Sequence, residues 1–594
     1  MSEKPLDRAV PRQPRPVDAA AQAPGSTDSP LWRDDDLPRR VDELRRSGRT
    51  SEALRMLEAA PTGDAEPAAL AIARARVLLA VHRPDDAAEV LRQAHERHGA
   101  SAELSAWLVA SLSRGRHHDD AATVATEAAA AFPASPLVRV ASGRLLVDQY
   151  RFEESLPYFR EAHAFDRDDP RAFRWLLHGL RCVRRFDDID TLVATAGMIA
   201  DAVRVEYARS LLDRYQFEAV IAQLGTATDE EPPALPLRLE ALSALGRAEE
   251  AQGLAEAALA RNPADPRLWV GLAHVLDESY KFEESLAGFE QALTIDPFNT
   301  DALEWRTTEL RNLRRWAEAE RSALEAVTRA PLLPQMQVEL GFVYEDQHDL
   351  VRAQAAFGRA LDIDPGHEWA LSSHVSLLRR LHRIDEAEEA ARQAIERRPD
   401  SPDLYCQLAY VHDDQHDHES SLAAVDQALV IDPADGLALA WRIRKLRHRR
   451  RFDEAEAAIR QATEKRPDLA QPYLELGYLH DGRHDHQRAL EAFEQALTID
   501  PHHEWALAQR ITELRQLRRF DEAERAARQA MEARPDSPQP YLELGYVHDD
   551  RHDHQRALEA FEQALTIDPH HEWALAQRNI QLRRLRRFDD AEQA

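Results

Sequence analysis

Long apolar runs, cysteine, glycine and positive charge are all scarce in this sequence of 594 residues, and each scarcity excludes something. No stretch approaches the roughly 18–20 continuous apolar residues that a membrane helix needs, so membrane insertion is not expected. The two cysteines, Cys182 and Cys406, lie far apart. That excludes a disulfide framework and a cysteine-based zinc site, and fits a reducing cytosol, so a cytoplasmic location is expected. With 20 glycines there is little material for loops that cradle a cofactor. The motifs GxxxxGK[ST], GxSxG and HExxH are absent, so neither catalysis nor a bound cofactor is expected. Lysine and arginine number 76 against 105 acids, a net charge of −29, which argues against nucleic acid as a partner. Nearly every base is arginine, which points to a high-GC bacterial genome.

What the chain has in abundance is self-similarity. A short turn followed by two acids recurs as RFDEA at Arg451 and Arg519 and as RFDDA at Arg587, 68 residues apart each time. The residue before the acidic pair marks the phase: Thr50, Pro84, His118, Phe152, Phe186, Phe217, Ala248, Phe282, Trp316, Leu350, Ile384, His418, Phe452, His486, Phe520, His554 and Phe588. The step is 34 throughout, except for two steps of 31 that reach Phe217 and Ala248. Within one unit, Tyr473, Leu476, Gly477 and His480 fall at i, i+3, i+4, i+7, one face of a helix. After a turn, Ala489, Phe493 and Ala496 mark a second helix, which Asp500-Pro501 ends because proline disfavours helical geometry in the residue before it. Gly477 lets the second helix approach closely.

These residues, with Pro501, occupy the signature positions of the tetratricopeptide repeat, which the sequence resembles over roughly residues 34–594, with His480 where tyrosine is usual. The resemblance implies an all-α, right-handed superhelical solenoid of antiparallel helix pairs. Residues 1–33 are expected to be a disordered tail, 34–265 an irregular set of repeats, and 266–594 a regular array whose last repeat is incomplete. A kink is expected at the two 31-residue units. The resemblance also implies a scaffold that binds a protein or peptide partner in its concave groove. The alternatives are a regulatory or sensor arm of a larger enzyme or signalling protein whose effector lies beyond residue 594, and a filament that self-associates through an uncapped C-terminal end.

From about Pro266 the units alternate between two types, so the period becomes 68. The segments 467–510 and 535–578 differ at four positions only, including Gly482/Asp550. Near the end of the first helix one position reads Asp277, Arg311, Glu345, Arg379, Asp413, Arg447, Asp481, Arg515, Asp549, Arg583. By family analogy it lies on the concave face. The alternation predicts a ladder of inter-repeat salt bridges, a set of arginines that grip acidic groups of a bound peptide, or both. Three residues earlier, His274, Phe342, Tyr410, Tyr478 and Tyr546 would add an aromatic track or pad adjacent first helices. Trp369, Trp505 and Trp573, near the starts of the intervening first helices, are expected to be packing residues. The run HDxxHDH offers His480, His484, His548 and His552 as weak candidate metal ligands, if the helix continues to His484; the expectation is no metal, with the histidines structural, solvated or proton-sensing. His502-His503 and His570-His571 are expected to be linker residues.

Overall fold

The computed structural model describes residues 37–60, 62, 66–196, 201–225, 234–466, 469–534, 537–569 and 571–587. The N-terminal tail, His570, and Phe588 with the rest of the last unit lie outside the described residues. Among the described residues there are thirty-three helices and no strand. None is long and apolar enough to cross a membrane. The helices alternate as antiparallel first and second helices, of 13 and 14 residues in regular units such as Pro402–Asp414 and His418–Ile431. In the two 31-residue units the helices shrink, as in Phe217–Leu224 and Leu235–Ala244, of 8 and 10 residues.

Each of the sixteen phase residues from Thr50 to His554 is the first residue of a second helix. In the units carrying the acidic pair, both acids then fall in the first turn, where the helix dipole favours them. Arginine just ahead of that helix reaches forward to the second acid of the pair: Arg451 Nε lies 2.7 Å from Glu454 Oε1, and Arg519 repeats this with Glu522. In the other unit type the second Asp of HDxxHDH takes over as cap, Asp485 accepting from the Arg488 amide at 3.3 Å.

The turn between paired helices is of one kind. Two residues before each second helix, the backbone adopts a left-handed conformation that closes the first helix, as in His484 N to Asp481 O and Asp485 N to His480 O. Glycine is the usual occupant of such a position, yet here only Gly48 and Gly246 are glycine. The other fifteen are Arg, His or Tyr, with φ between 54° and 64°. Strain of about 1 kcal/mol at each is the local consequence.

Those side chains explain the strain, because in the first half of the chain they hold the superhelix turn against turn. Arg116 Nη2 and Tyr150 Oη both donate to Asp364 Oδ2, at 2.5 and 2.6 Å, across 248 and 214 residues of sequence. Arg184 pairs with Asp432 at 2.7 Å. Arg398 lies over the Tyr150 ring, Arg466 over Tyr215 and Arg534 over Tyr280. The solenoid therefore returns on itself after about seven units. The acceptors Asp364 and Asp432 belong to the Asp-Pro corners that end second helices.

Within units, the 68-residue period is a size swap. Phe357, Phe493 and Phe561 are wholly buried, and each meets a glycine of its partner helix. A Cβ on Gly477 would lie 2.3 Å from Phe493 Cε1, and one on Gly545 would lie 2.4 Å from Phe561 Cε1. In the intervening unit the same two positions hold Ile511 and Ala527, large and small exchanged, both fully buried. Gly477→Ala should therefore destabilise its unit by about 1–3 kcal/mol through overpacking. Hydrogen exchange of 470–499 will read this, and unchanged protection would contradict the contact.

First helices are buried on more than the single stripe expected. Besides Gly477, the helix Ala470–Asp481 buries Leu474, Glu475 and Leu479, while Tyr473, Leu476 and His480 stay half-exposed. A typical first helix, such as Pro402–Asp414, is flanked by its own second helix, the preceding second helix and the first helices on either side.

Candidate functional site

Successive first helices lie side by side, so residues near their C-terminal ends form a continuous row. The alternating acids and arginines are in that row, but each reaches one residue further than simple register suggests. Arg311 Nε pairs with Asp346 at 2.7 Å, Arg379 with Asp414 at 2.7 Å and Arg515 with Asp550 at 2.9 Å. The acids do the same in reverse: Glu345 takes Arg380 at 2.8 Å, and Asp549 takes Arg584. The row is interrupted in the middle. Asp413 is held by Lys445 instead, and Gly482 stands where Arg447 would find its aspartate. Arg583 is exposed.

The aromatic row lies under the arginines. Arg311 sits over Phe342, Arg379 over Tyr410, Arg447 over Tyr478 and Arg515 over Tyr546, at 4.9–5.3 Å. His274, first of the row, instead meets Phe289 and Trp305. Beneath them the sequence hid a further layer: Glu339, Glu475 and Glu543 are buried, and each pairs with the ladder arginine of the preceding unit. Burial pushes all three carboxyls up from the ordinary range, and the facing arginines pull back. At the start of the row, burial and then the Asp277 charge push Glu309 up to about 8. A cleft of about 620 Å³ opens beside the row, lined by Arg379, Arg380, Asp413, Asp414, Lys445 and His448.

The HDxxHDH run separates into distinct tasks. The helix Ala470–Asp481 ends before His484, which occupies the left-handed turn, so His480 and His484 do not share a helix face. The same holds for His548, which is buried, and His552, which is in the next copy's turn. The third histidine does the pairing: His486 Nδ1 lies 2.9 Å from Glu513 Oε2 and 3.6 Å from Asp481 Oδ1. Among the described residues, Asp481, His486 and Glu513 are the one group of three whose ligand atoms converge, within 4.8 Å. Spacing could not reveal it, since Glu513 comes from the next unit. His503 and His571 are more than linkers: each caps a first helix, with Nδ1 accepting from the Ala506 and Ala574 amides.

The tryptophans correct an expectation. Trp369, Trp505 and Trp573 are not packed away but 54, 59 and 68% exposed. Each is the second residue of a first helix, and Leu437, also exposed, holds that position in the unit between the first two. Ile580, seven residues beyond Trp573 and thus on the same helix face, is exposed as well. An apolar side chain thus stands out every 68 residues. With more than half of each tryptophan open to water, packing does not account for it.

A model of the tetratricopeptide repeat matches residues 72–136, 109–170, 237–300, 373–436, 443–504 and 509–572. Among curated proteins, cellulose synthase operon protein C of Pseudomonas fluorescens is 26% identical over 166 residues, 27% of this chain and 13% of its own length. The human protein O-mannosyl-transferase TMTC3 is 27% identical over 198 residues, 31% of this chain and 22% of its own length. Anaphase-promoting complex subunit 3 of Schizosaccharomyces pombe is 23% identical over 187 residues, 30% of this chain and 28% of its own length. The chain thus spans less than a third of each of these relatives. Among solved structures, the APC/C hetero-tetramer Cut9-Hcn1 aligns with 91% of this chain and 99% of its own, at 16% identity and a TM-score of 0.39. Naa15/Naa10 bound to HypK-THB aligns with 93% and 96%, at 15% identity and a TM-score of 0.37.

Proposed function

With more than half of its residues matched by the repeat model, the chain belongs to the tetratricopeptide repeat family, and from that premise we propose that it is a scaffold whose row of first helices receives a protein segment. Proteins of this family serve in general as interaction scaffolds. The observation that carries the finer statement is the exposed stripe of Trp369, Leu437, Trp505 and Trp573. Large aromatic side chains of that kind are what interface cores use, and they are costly to leave in water otherwise. The row of ion pairs, Arg311 with Asp346, Arg379 with Asp414, Arg515 with Asp550, Glu345 with Arg380 and Asp549 with Arg584, then serves as a stiff polar floor. Its arginines are occupied by carboxylates and rings, so the apolar stripe supplies the grip and the ladder the register.

Trp369, Trp505 and Trp573 changed together to alanine should leave circular dichroism unchanged. Capture of the partners retained by the wild-type protein should fall by about tenfold or more, since interface aromatics commonly contribute 2 kcal/mol or more each. Undiminished capture rejects the stripe as the binding surface. A second reading, an arm of a longer enzyme, is favoured by the O-mannosyl-transferase relative, in which the matched segment is 22% of the length. The mass of the native protein, read on a blot of source-cell extract, separates the two.

A further inference from the structure

Asp481 ends one first helix, His486 begins the second helix of the same unit, and Glu513 lies in the first helix of the next. A tetrahedral cation with bonds of about 2.0–2.1 Å places its ligand atoms roughly 3.3 Å apart. The distances found, 2.9 Å from His486 Nδ1 to Glu513 Oε2 and 3.6 Å from it to Asp481 Oδ1, bracket that value. Glu513 is fully buried, and its Oε1 has no hydrogen-bond partner. Two carboxylates and one imidazole leave this corner short of positive charge, and the neighbouring chain does not make it up. Where Glu345 has Arg380 and Asp549 has Arg584, the corresponding residue for Asp481 is Gln516.

The other copies of the corner show what it accepts. In the preceding double unit the position of Glu513 is Lys445, whose ammonium sits against Asp413, so a cation occupies this spot there. In the following one it is Gln581, whose Oε1 lies 3.1 Å from His554 Nδ1. The fold thus builds the same corner with lysine, leucine, glutamine or glutamate; of the two glutamate copies, Glu309 has Phe282 where Glu513 has His486, so only the Glu513 corner combines three anionic or basic ligand atoms with no cation of its own.

We propose that Asp481, His486 and Glu513 bind a divalent transition-metal ion of the zinc class. A nitrogen ligand beside two carboxylates suits zinc and its first-row neighbours better than magnesium or calcium, which prefer oxygen alone. Asp481 and His486 remain partly exposed, which provides an entry path and room for water as a fourth ligand. Bound there, the ion ties two consecutive units together at the point where the salt-bridge ladder is interrupted.

Titration calorimetry of the full chain with zinc alone tests this. One tight site per chain is expected, above any weak binding by the turn histidines. Glu513→Gln, which installs the residue naturally present at 581, should keep the helix content and lower the affinity by about tenfold or more. Gln581→Glu combined with Arg584→Gln, which removes the cation that Asp549 has in that copy, should raise the stoichiometry from one to two, and the cobalt-loaded protein should show the intense visible bands of a tetrahedral site. A wild-type chain that binds no zinc, or a Glu513→Gln chain that binds it as the wild type does, overturns the proposal.

Discussion

Arg116→Gly combined with Arg184→Gly should lengthen the particle measured by small-angle scattering while leaving its helix content intact. Locally these changes are favourable: glycine removes about 1 kcal/mol of left-handed strain at φ 64° and 57°. At long range they are costly, because Asp364 and Asp432, both buried, lose the cations that reach them from the facing turn. Breaking such a pair costs roughly 3 kcal/mol, so the long-range loss outweighs the local gain. The same exchange at Arg450 and Arg518 is the control. Both occupy the same left-handed position, and among the described residues neither makes a hydrogen bond or ion pair with another turn. Identical scattering from wild type, double variant and control would show that these contacts do not hold the coil closed.

Acid should act on the same contact. His367 caps the first helix that follows Asp364, with Nδ1 accepting from the Ala370 amide at 3.3 Å. Burial holds it neutral, its pKa pushed down to about 4, and Arg116 and Arg398 add to this while Asp364 opposes it. A folded value below the ordinary 6.5 means that its stabilising contribution is complete above pH 6.5 and is lost as pH falls through 4. The scattering envelope should therefore expand on acidification across that window. His367→Asn, a cap that does not titrate, should flatten the response.

The second large effect is expected at the ladder. Arg515→Ala should cost about 3–5 kcal/mol, because it leaves Glu543 buried without its counter-charge. Asp550→Ala, which removes the more exposed partner of the same arginine, should cost about 1 kcal/mol or less. Arg515→Ala with Glu543→Gln should recover much of the loss. Arg379→Ala should be milder than Arg515→Ala, since the residue at the buried-glutamate position of its neighbour is Gln407. Repeat arrays unfold unit by unit, so hydrogen exchange of the helices Glu504–Gln516 and Gln539–Asp550 is the proper measurement. Equal protection in Arg515→Ala and Asp550→Ala would mean that the buried glutamates are held by something other than the arginines.

Much of the architecture is local and was legible for that reason. The phase series from Thr50 to His554 set the period of the units, and the structure places each of its residues at the start of a second helix. Gly477 opposite Phe493 and the stop at Asp500-Pro501 are likewise properties of one unit. Residues of the acid–arginine alternation do form ion pairs between units, but with partners one residue further on than the series implies. That offset depends on how adjacent first helices are staggered, which no single unit specifies.

The remaining features join residues that the sequence keeps apart. Asp364 receives Arg116 and Tyr150 because small rotations between units accumulate until the chain meets itself, and that sum belongs to the whole array. His486 finds Glu513, rather than His480 finding His484, because the helix ends at Asp481 and the next unit closes over the corner. Trp369, Trp505 and Trp573 are exposed although they are large and apolar, a matter of placement that hydrophobicity alone misjudges. By itself the sequence determined the period, the two-helix unit and the Asp-Pro stop that ends it. Only the tertiary structure decided which charges meet, which aromatics face water and how one turn of the coil rests on the next, because those depend on geometry summed over many units.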